Sequence, residues 1–162
     1  MADHPIIQIS QATDPADVAA VKALFLEYLQ FVERYLGQDL SFQGTDKEFA
    51  DFPQIYDDLF LARVNGQPLA ACAIKPLPND MTGKICELKR LYARPEGRGL
   101  GLGAALLDVA IKAARDLGYV HMYLDTDHGL THANKIYEAA GFVDIPCYYD
   151  NPLDSRYLAL ML

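Results

Sequence analysis

The sequence predicts an α+β domain on a mixed, mostly antiparallel sheet flanked by helices. Three observations carry that expectation. Asn65-Gly66 separates the β-rich runs "DLFLARV" and "QPLAACAIKPL", and this pair is the preferred centre of a type I′ hairpin, so the middle of the chain is antiparallel. From "KICELKRLYARP" onward, strand-like and helix-like segments alternate as β-α-β-α-β, which adds parallel pairing to the same sheet. Near the N-terminus, Val21, Leu24, Phe25, Tyr28, Leu29, Val32 and Leu36 recur at helical spacing.

In chain order, "PIIQIS" reads as a first strand. The long helix follows, with Thr13 or Asp14 as its cap, Pro15 in its first turn and Gly37 at its end. "QDLSFQGTDKEFADFPQIY" is a polar and aromatic connection with a short helix near Lys47 to Asp51, suited to a lid or substrate wall and equally to plain packing. After the hairpin, "NDMTG" makes a turn and "KICELKRLYARP" a strand that ends before Pro95. "GAALLDVAIKAARDLG" is a helix closed by Gly118, "YVHMYLDTD" a strand, and "THANKIYEAAG" a helix capped by Thr131 and stopped by Gly141. The tail, "FVDIPCYYDNPLDSRYLALML", gives two more strands around "DNP".

At 162 residues and 18.0 kDa, residues 1–162 form one domain, long enough to bury roughly two thirds of the unfolded surface. The formal net charge of −8 argues against a broad grip on nucleic acid and favours cationic or neutral substrates. Cys72, Cys86 and Cys147 form no CxxC pair and sit in apolar, strand-like surroundings, so the reading is three buried thiols in a reducing compartment. "MADHPIIQIS" lacks a signal-peptide pattern, and no apolar run approaches the roughly 18 residues of a membrane span. Those features predict a cytoplasmic protein with no membrane or nucleic-acid partner.

The stretch "ARPEGRGLGLGAALL" sets Gly97, Gly99, Gly101 and Gly103 before an apolar helix. Glycine there costs about 1 kcal/mol against alanine, and a ligand on bare backbone would offset it. A Walker loop is excluded, because no Lys-Ser or Lys-Thr follows. Gly99, Gly101 and Ala104 satisfy GxGxxA, with Asp125 near the end of the next strand, but "ARPEGR" intervenes where a dinucleotide fold runs its strand straight into the first glycine. Arg98, Gly101 and Gly103 satisfy a third pattern, RxxGxG.

With "ELKRLYARPEGRGLGLGAALL", "GYVHMYLDTD" and "KIYEAAGF" around it, that pattern resembles the GNAT superfamily of N-acetyltransferases, in its small single-domain bacterial form. The resemblance covers most of the chain and implies a sheet whose parallel fourth and fifth strands splay apart. It implies acetyl-coenzyme A (acetyl-CoA) as cosubstrate and no metal. The pyrophosphate would lie on Arg98, Gly99, Leu100, Gly101, Leu102, Gly103 and Ala104, and the pantetheine arm on backbone groups of Leu91, Tyr92 and Ala93. It also implies Tyr137 as the proton donor to the departing thiolate; a plain core tyrosine is the competing reading. Glu87, eleven residues before Arg98, has the spacing of a general base in some members, yet strand alternation sets it beside Lys89 as a simple ion pair. Arg90 points oppositely and is structural. Many members carry an asparagine seven residues before the tyrosine; here that position is Leu130, and Asn134 does not inherit the role. His128 and His132 lack a third metal ligand, and "YYDNP" either rims the acceptor site or forms an edge turn.

The expected activity is acetyl transfer from acetyl-CoA to a primary amine of a small molecule, peptide or protein by direct attack in a ternary complex. A non-catalytic acyl-CoA sensor and a toxin that acetylates charged tRNA are the rivals, the second disfavoured by the negative charge. Homodimers are common in the family, and the chain carries no motif that names its acceptor.

Overall fold

The computed structural model describes residues 3–37, 39 and 45–162. Part of the predicted lid or wall, residues 38 and 40–44, lies outside them. The elements run β1 (Ile7–Gln11), α1 (Pro15–Leu36), α2 (Thr45–Ala50), β2 (Asp58–Val64), β3 (Gln67–Asp80), β4 (Gly83–Ala93), α3 (Leu102–Asp116), β5 (His121–Asp127), α4 (Thr131–Ala140), β6 (Val143–Asp144) and β7 (Ser155–Met161). Seven strands form one sheet in the order β1-β2-β3-β4-β5-β7-β6, and only β4–β5 is parallel. The predicted class is the observed one.

Both faces of the sheet are covered, which is why β3 reads "LAACAI" and buries all six residues from Leu69 to Ile74. Phe60, Ala70, Cys72, Cys86, Met122 and Leu124 pack on one face against Leu102, Leu106, Leu107 and Ala110 of α3. Leu59, Leu61, Ala71 and Ala73 pack on the other against Val21, Leu24 and Phe25 of α1. The α1 cap is Asp14, whose carboxylate accepts from the Asp17 N–H at 2.8 Å, and Gly37 closes the helix at φ 65°.

Four expectations need correction. The cap position of α4 is Leu130, not Thr131, which is already helical; the first turn closes through the Asn134 N–H on the Leu130 carbonyl at 3.0 Å. The predicted terminal hairpin shrinks to two residues of β6, because Pro146 lacks an N–H for the ladder and the following tyrosines bond to carboxylates instead. Cys72 and Cys86 are buried, but Cys147 is exposed on that irregular segment, its thiol donating to the Tyr149 carbonyl at 2.8 Å. Arg90 does not point away from Glu87 and Lys89. The β3–β4 register slips between Ala71 and Ala73, and Arg90 occupies the left-handed region at φ 59°, so a bulge returns it to the face of Lys89.

Gly103 sets how closely α3 and α4 approach, since a Cβ there would lie 3.1 Å from Ile136 Cδ1. Gly103→Val should cost about 1–3 kcal/mol by overpacking, read as a lower urea midpoint with an unchanged slope.

Candidate active site

The site begins where two strands part. β4 and β5 pair only at Ile85–His121, Cys86–Met122 and Glu87–Tyr123. Beyond Glu87 the strands diverge, and the edge of β4 from Leu88 to Ala93 that would face β5 has no strand partner among the described residues. The bulge at Arg90 lies at this point and bends β4 away from its neighbour. Leu91, Tyr92 and Ala93, the expected contacts of the pantetheine arm, therefore lie along an open edge.

The bulge is fixed by a buried ion pair. Arg90 Nη2 lies 2.8 Å from Glu48 Oε2 on α2, both side chains being almost wholly buried, and the Tyr56 hydroxyl also donates to Glu48. Burial alone would raise the Glu48 carboxyl, but the hydrogen bond and charge of Arg90, with Tyr56, hold it below the usual carboxylate range. A second anchor lies just beyond β4, where Arg94 grips Glu27 of α1 through Nε at 2.8 Å and Nη2 at 2.7 Å and donates from Nη1 to the Pro68 carbonyl.

A 3₁₀ turn over Pro95–Gly97 leads from Arg94 into the glycine loop. Gly99 and Gly101 take φ of 82° and 73°, the left-handed region that glycine enters without strain. The Arg98 N–H donates to the Pro95 carbonyl and the next paired amide is Ala105, on the Gly101 carbonyl. Among the described residues, the six amides from Gly99 to Ala104 thus have no protein acceptor. They sit at the positive end of α3, and α3 has no side-chain cap. Arg98 is exposed beside them and makes no ion pair among the described residues.

Tyr137 of α4 is buried, its ring 5.8 Å from that of Phe142. Among the described residues its hydroxyl has no hydrogen-bond partner. Burial pushes that hydroxyl far up, with further contributions from Tyr28, Cys72 and Asp125. Tyr28 belongs to α1, Cys72 to β3 and Asp125 to β5. Asn134, one turn before it, donates from Nδ2 to the Asp127 carbonyl at 3.1 Å and to the His128 carbonyl at 3.4 Å, while its buried Oδ1 has no partner among the described residues.

Glu87 stands at the apex of the fork. It is 5% exposed, Lys89 Nζ lies 3.4 Å from Oε1, and the Tyr148 hydroxyl donates to Oε2 at 2.6 Å. The predicted same-face placement of Glu87 and Lys89 is present. On β5 the equivalent carboxylate, Asp125, accepts from the Tyr149 hydroxyl at 2.9 Å. Adjacent tyrosines of one segment thereby hold carboxylates on both arms of the fork. A cleft opens beside them on the α1 face, between Tyr28 and Val32 of α1, Lys89 and Arg90 of β4, and Asp125 and Asp127 of β5. Sequence reasoning missed Tyr28 and the Arg90–Glu48 pair; the "YY" of the tail was the one available signal for the two clamping tyrosines. Among the described residues, no group of three His, Cys, Asp or Glu side chains is placed to hold a metal ion, and none of the helices is long and apolar enough to cross a membrane.

A mixed sheet with one splayed parallel pair thus opens onto a loop of free amides at the mouth of the splay. The description Acetyltransferase (GNAT) family matches residues 25–142. An uncharacterized N-acetyltransferase of Schizosaccharomyces pombe is 38% identical over 152 residues, which is 91% of this chain and 89% of that protein. Among solved structures, an acetyltransferase from Streptococcus agalactiae superposes with a TM-score of 0.75 at 19% identity, covering 96% of this chain and 98% of that one. A GNAT family acetyltransferase from Brucella melitensis, solved in complex with acetyl-CoA, gives 0.67 at 19% identity over 98% and 89%. The chain belongs to the GNAT family of acetyltransferases.

Proposed function

We propose that this chain is an N-acetyltransferase that moves the acetyl group of acetyl-CoA to a primary amine of a small molecule, peptide or protein in one ternary complex. The observation that carries this reading is the run of six unpartnered amides from Gly99 to Ala104, opening onto a strand edge that is itself unpaired. Such a run fits a pyrophosphate, and the bare edge of Leu91, Tyr92 and Ala93 fits an extended amide-bearing arm laid along it like a strand. Arg98 adds a charge at the phosphate end. Bound there, acetyl-CoA supplies an activated acetyl carbonyl on a thiolate leaving group.

The residues of this chain then divide the proton work. An acceptor ammonium must lose a proton before its nitrogen attacks, and Glu87 at the apex is the carboxylate placed to receive it. Tyr137, protonated and without a protein partner, is placed to give a proton to the departing sulfur.

The test is a panel of small amines and peptides incubated with acetyl-CoA while free thiol is followed. Amine-dependent thiol release supports the reading; tight binding of acetyl-CoA with no release under any acceptor favours the sensor. In the same assay Glu87→Gln should lower kcat/KM for the amine by about a hundredfold while the acetyl-CoA dissociation constant stays within about twofold.

A further inference from the structure

Residues 145–154 join β6 to β7 across the fork, and their hold on it is concentrated in two hydroxyls. Tyr148 donates to Glu87 and Tyr149 to Asp125. The Tyr148 ring is enclosed by three others, with centroids 5.1 Å from Tyr123, 5.4 Å from Tyr149 and 5.5 Å from Tyr157. This enclosure fixes the ring, so the hydroxyl is held on the carboxylate rather than visiting it. Glu87 is correspondingly covered: Lys89 stands by one oxygen and Tyr148 caps the other. Tyr148 is half-buried and Glu87 buried, so the tyrosine is the more accessible of the two.

We propose that Tyr148 is a proton relay between the acceptor ammonium and Glu87, an inference that rests on the amine-acetyltransferase reading above. The acceptor ammonium donates a hydrogen bond to Tyr148 Oη. As its N–H bond breaks and an O–H bond forms on Oη, the original Oη–H bond breaks and that proton bonds to Glu87 Oε2. Nitrogen keeps the electron pair with which it attacks the acetyl carbonyl. Ammonium and carboxylate become amine and carboxylic acid, and the phenol is neutral before and after. The two transfers are concerted, because burial and the Glu87 charge push the Tyr148 hydroxyl strongly up and disfavour a free tyrosinate. The groups facing Tyr148 are Glu87 and Lys89 from β4, Asp125 and Tyr123 from β5, Tyr157 from β7, and Tyr149 from its own segment.

The experiment uses the full chain with acetyl-CoA and three probe amines: glycinamide, 1,4-diaminobutane and Nα-acetyl-lysine amide. Thiol release with none of them overturns the amine reading and the relay with it. With the best of the three, Tyr148→Phe keeps the ring and its stacking but removes the oxygen. The relay predicts that kcat/KM for the amine falls about a hundredfold at pH 7, with the KM for acetyl-CoA within about twofold. The deficit should shrink to less than about tenfold by pH 9.5, as the amine sheds its own proton toward a pKa of about 10 for the two alkyl amines and about 8 for the α-amine of glycinamide. A deficit of the same size at every pH, or none, overturns the relay and leaves the acetyltransferase reading standing. A double variant supplies an independent check: Glu87→Gln with Tyr148→Phe should be no slower than the slower single variant within about threefold, as for two members of one path, and multiplying losses would overturn the relay. Should Tyr148→Phe fold poorly, the Glu87→Gln deficit must show the same closing with pH, and a pH-independent deficit counts against the relay.

Discussion

Arg90→Leu should destabilise the protein by about 3–5 kcal/mol at pH 7, because it leaves the Glu48 carboxylate buried against Tyr56 with its guanidinium gone. The pH dependence identifies the cause. In the native protein the Glu48 carboxyl is held below its ordinary range, so its contribution is fully present above the unfolded pKa and is lost as pH falls through the folded one. In the variant the same burial acts without Arg90 and raises the carboxyl, so the variant regains stability as the group takes up a proton. The gap between the two should therefore narrow as pH drops from 7 toward 4, in urea melts at each pH. A gap that stays constant would mean that lost packing, not the stranded charge, sets the cost. The loss would not be confined to stability: Arg90 occupies the left-handed bulge that turns β4 away from β5, so the ion pair also holds the fork open.

What could be read from the chain alone follows from which signals are local. The Asn65-Gly66 hairpin, the helical stripe of α1 and the glycine entrance to α3 are written in neighbouring residues, and each stands where expected. The placing of Glu87 beside Lys89 needed only period-two alternation. One step further along the same strand that rule fails at Arg90, since a bulge inserts an extra residue and shifts the alternation. Its cause, Glu48, is 42 residues away on α2, with no local mark. The tail fails for a related reason. Cys147, Tyr148 and Tyr149 look like strand by composition, yet Pro146 interrupts pairing and the two hydroxyls find Glu87 and Asp125, 61 and 24 residues distant. Side chains that satisfy charges across the fold override local propensity here, and they do so where the site lies.

Tyr137→Phe should lower turnover at saturating acetyl-CoA by about a hundredfold or more while the dissociation constant for acetyl-CoA stays within about twofold. The argument begins with what the substitution leaves intact. The ring keeps its edge contact with Phe142, and the hydroxyl has no hydrogen-bond partner among the described residues, so its removal strands no buried donor or acceptor. Burial also pushes its pKa well above the ordinary tyrosine value, so the proton stays in place across the working pH range, as the proposed role of proton donor requires. It follows that the native enzyme should show no alkaline fall in turnover up to pH 10 traceable to this group. Binding is set elsewhere, by the amides from Gly99 to Ala104 and the open edge of β4, which the substitution does not touch. A variant with normal binding and normal turnover at saturating donor would remove Tyr137 from the chemistry and return it to the core; weakened binding at unchanged turnover would make it a wall of the donor site. Loss of turnover alone is the outcome that a proton donor requires.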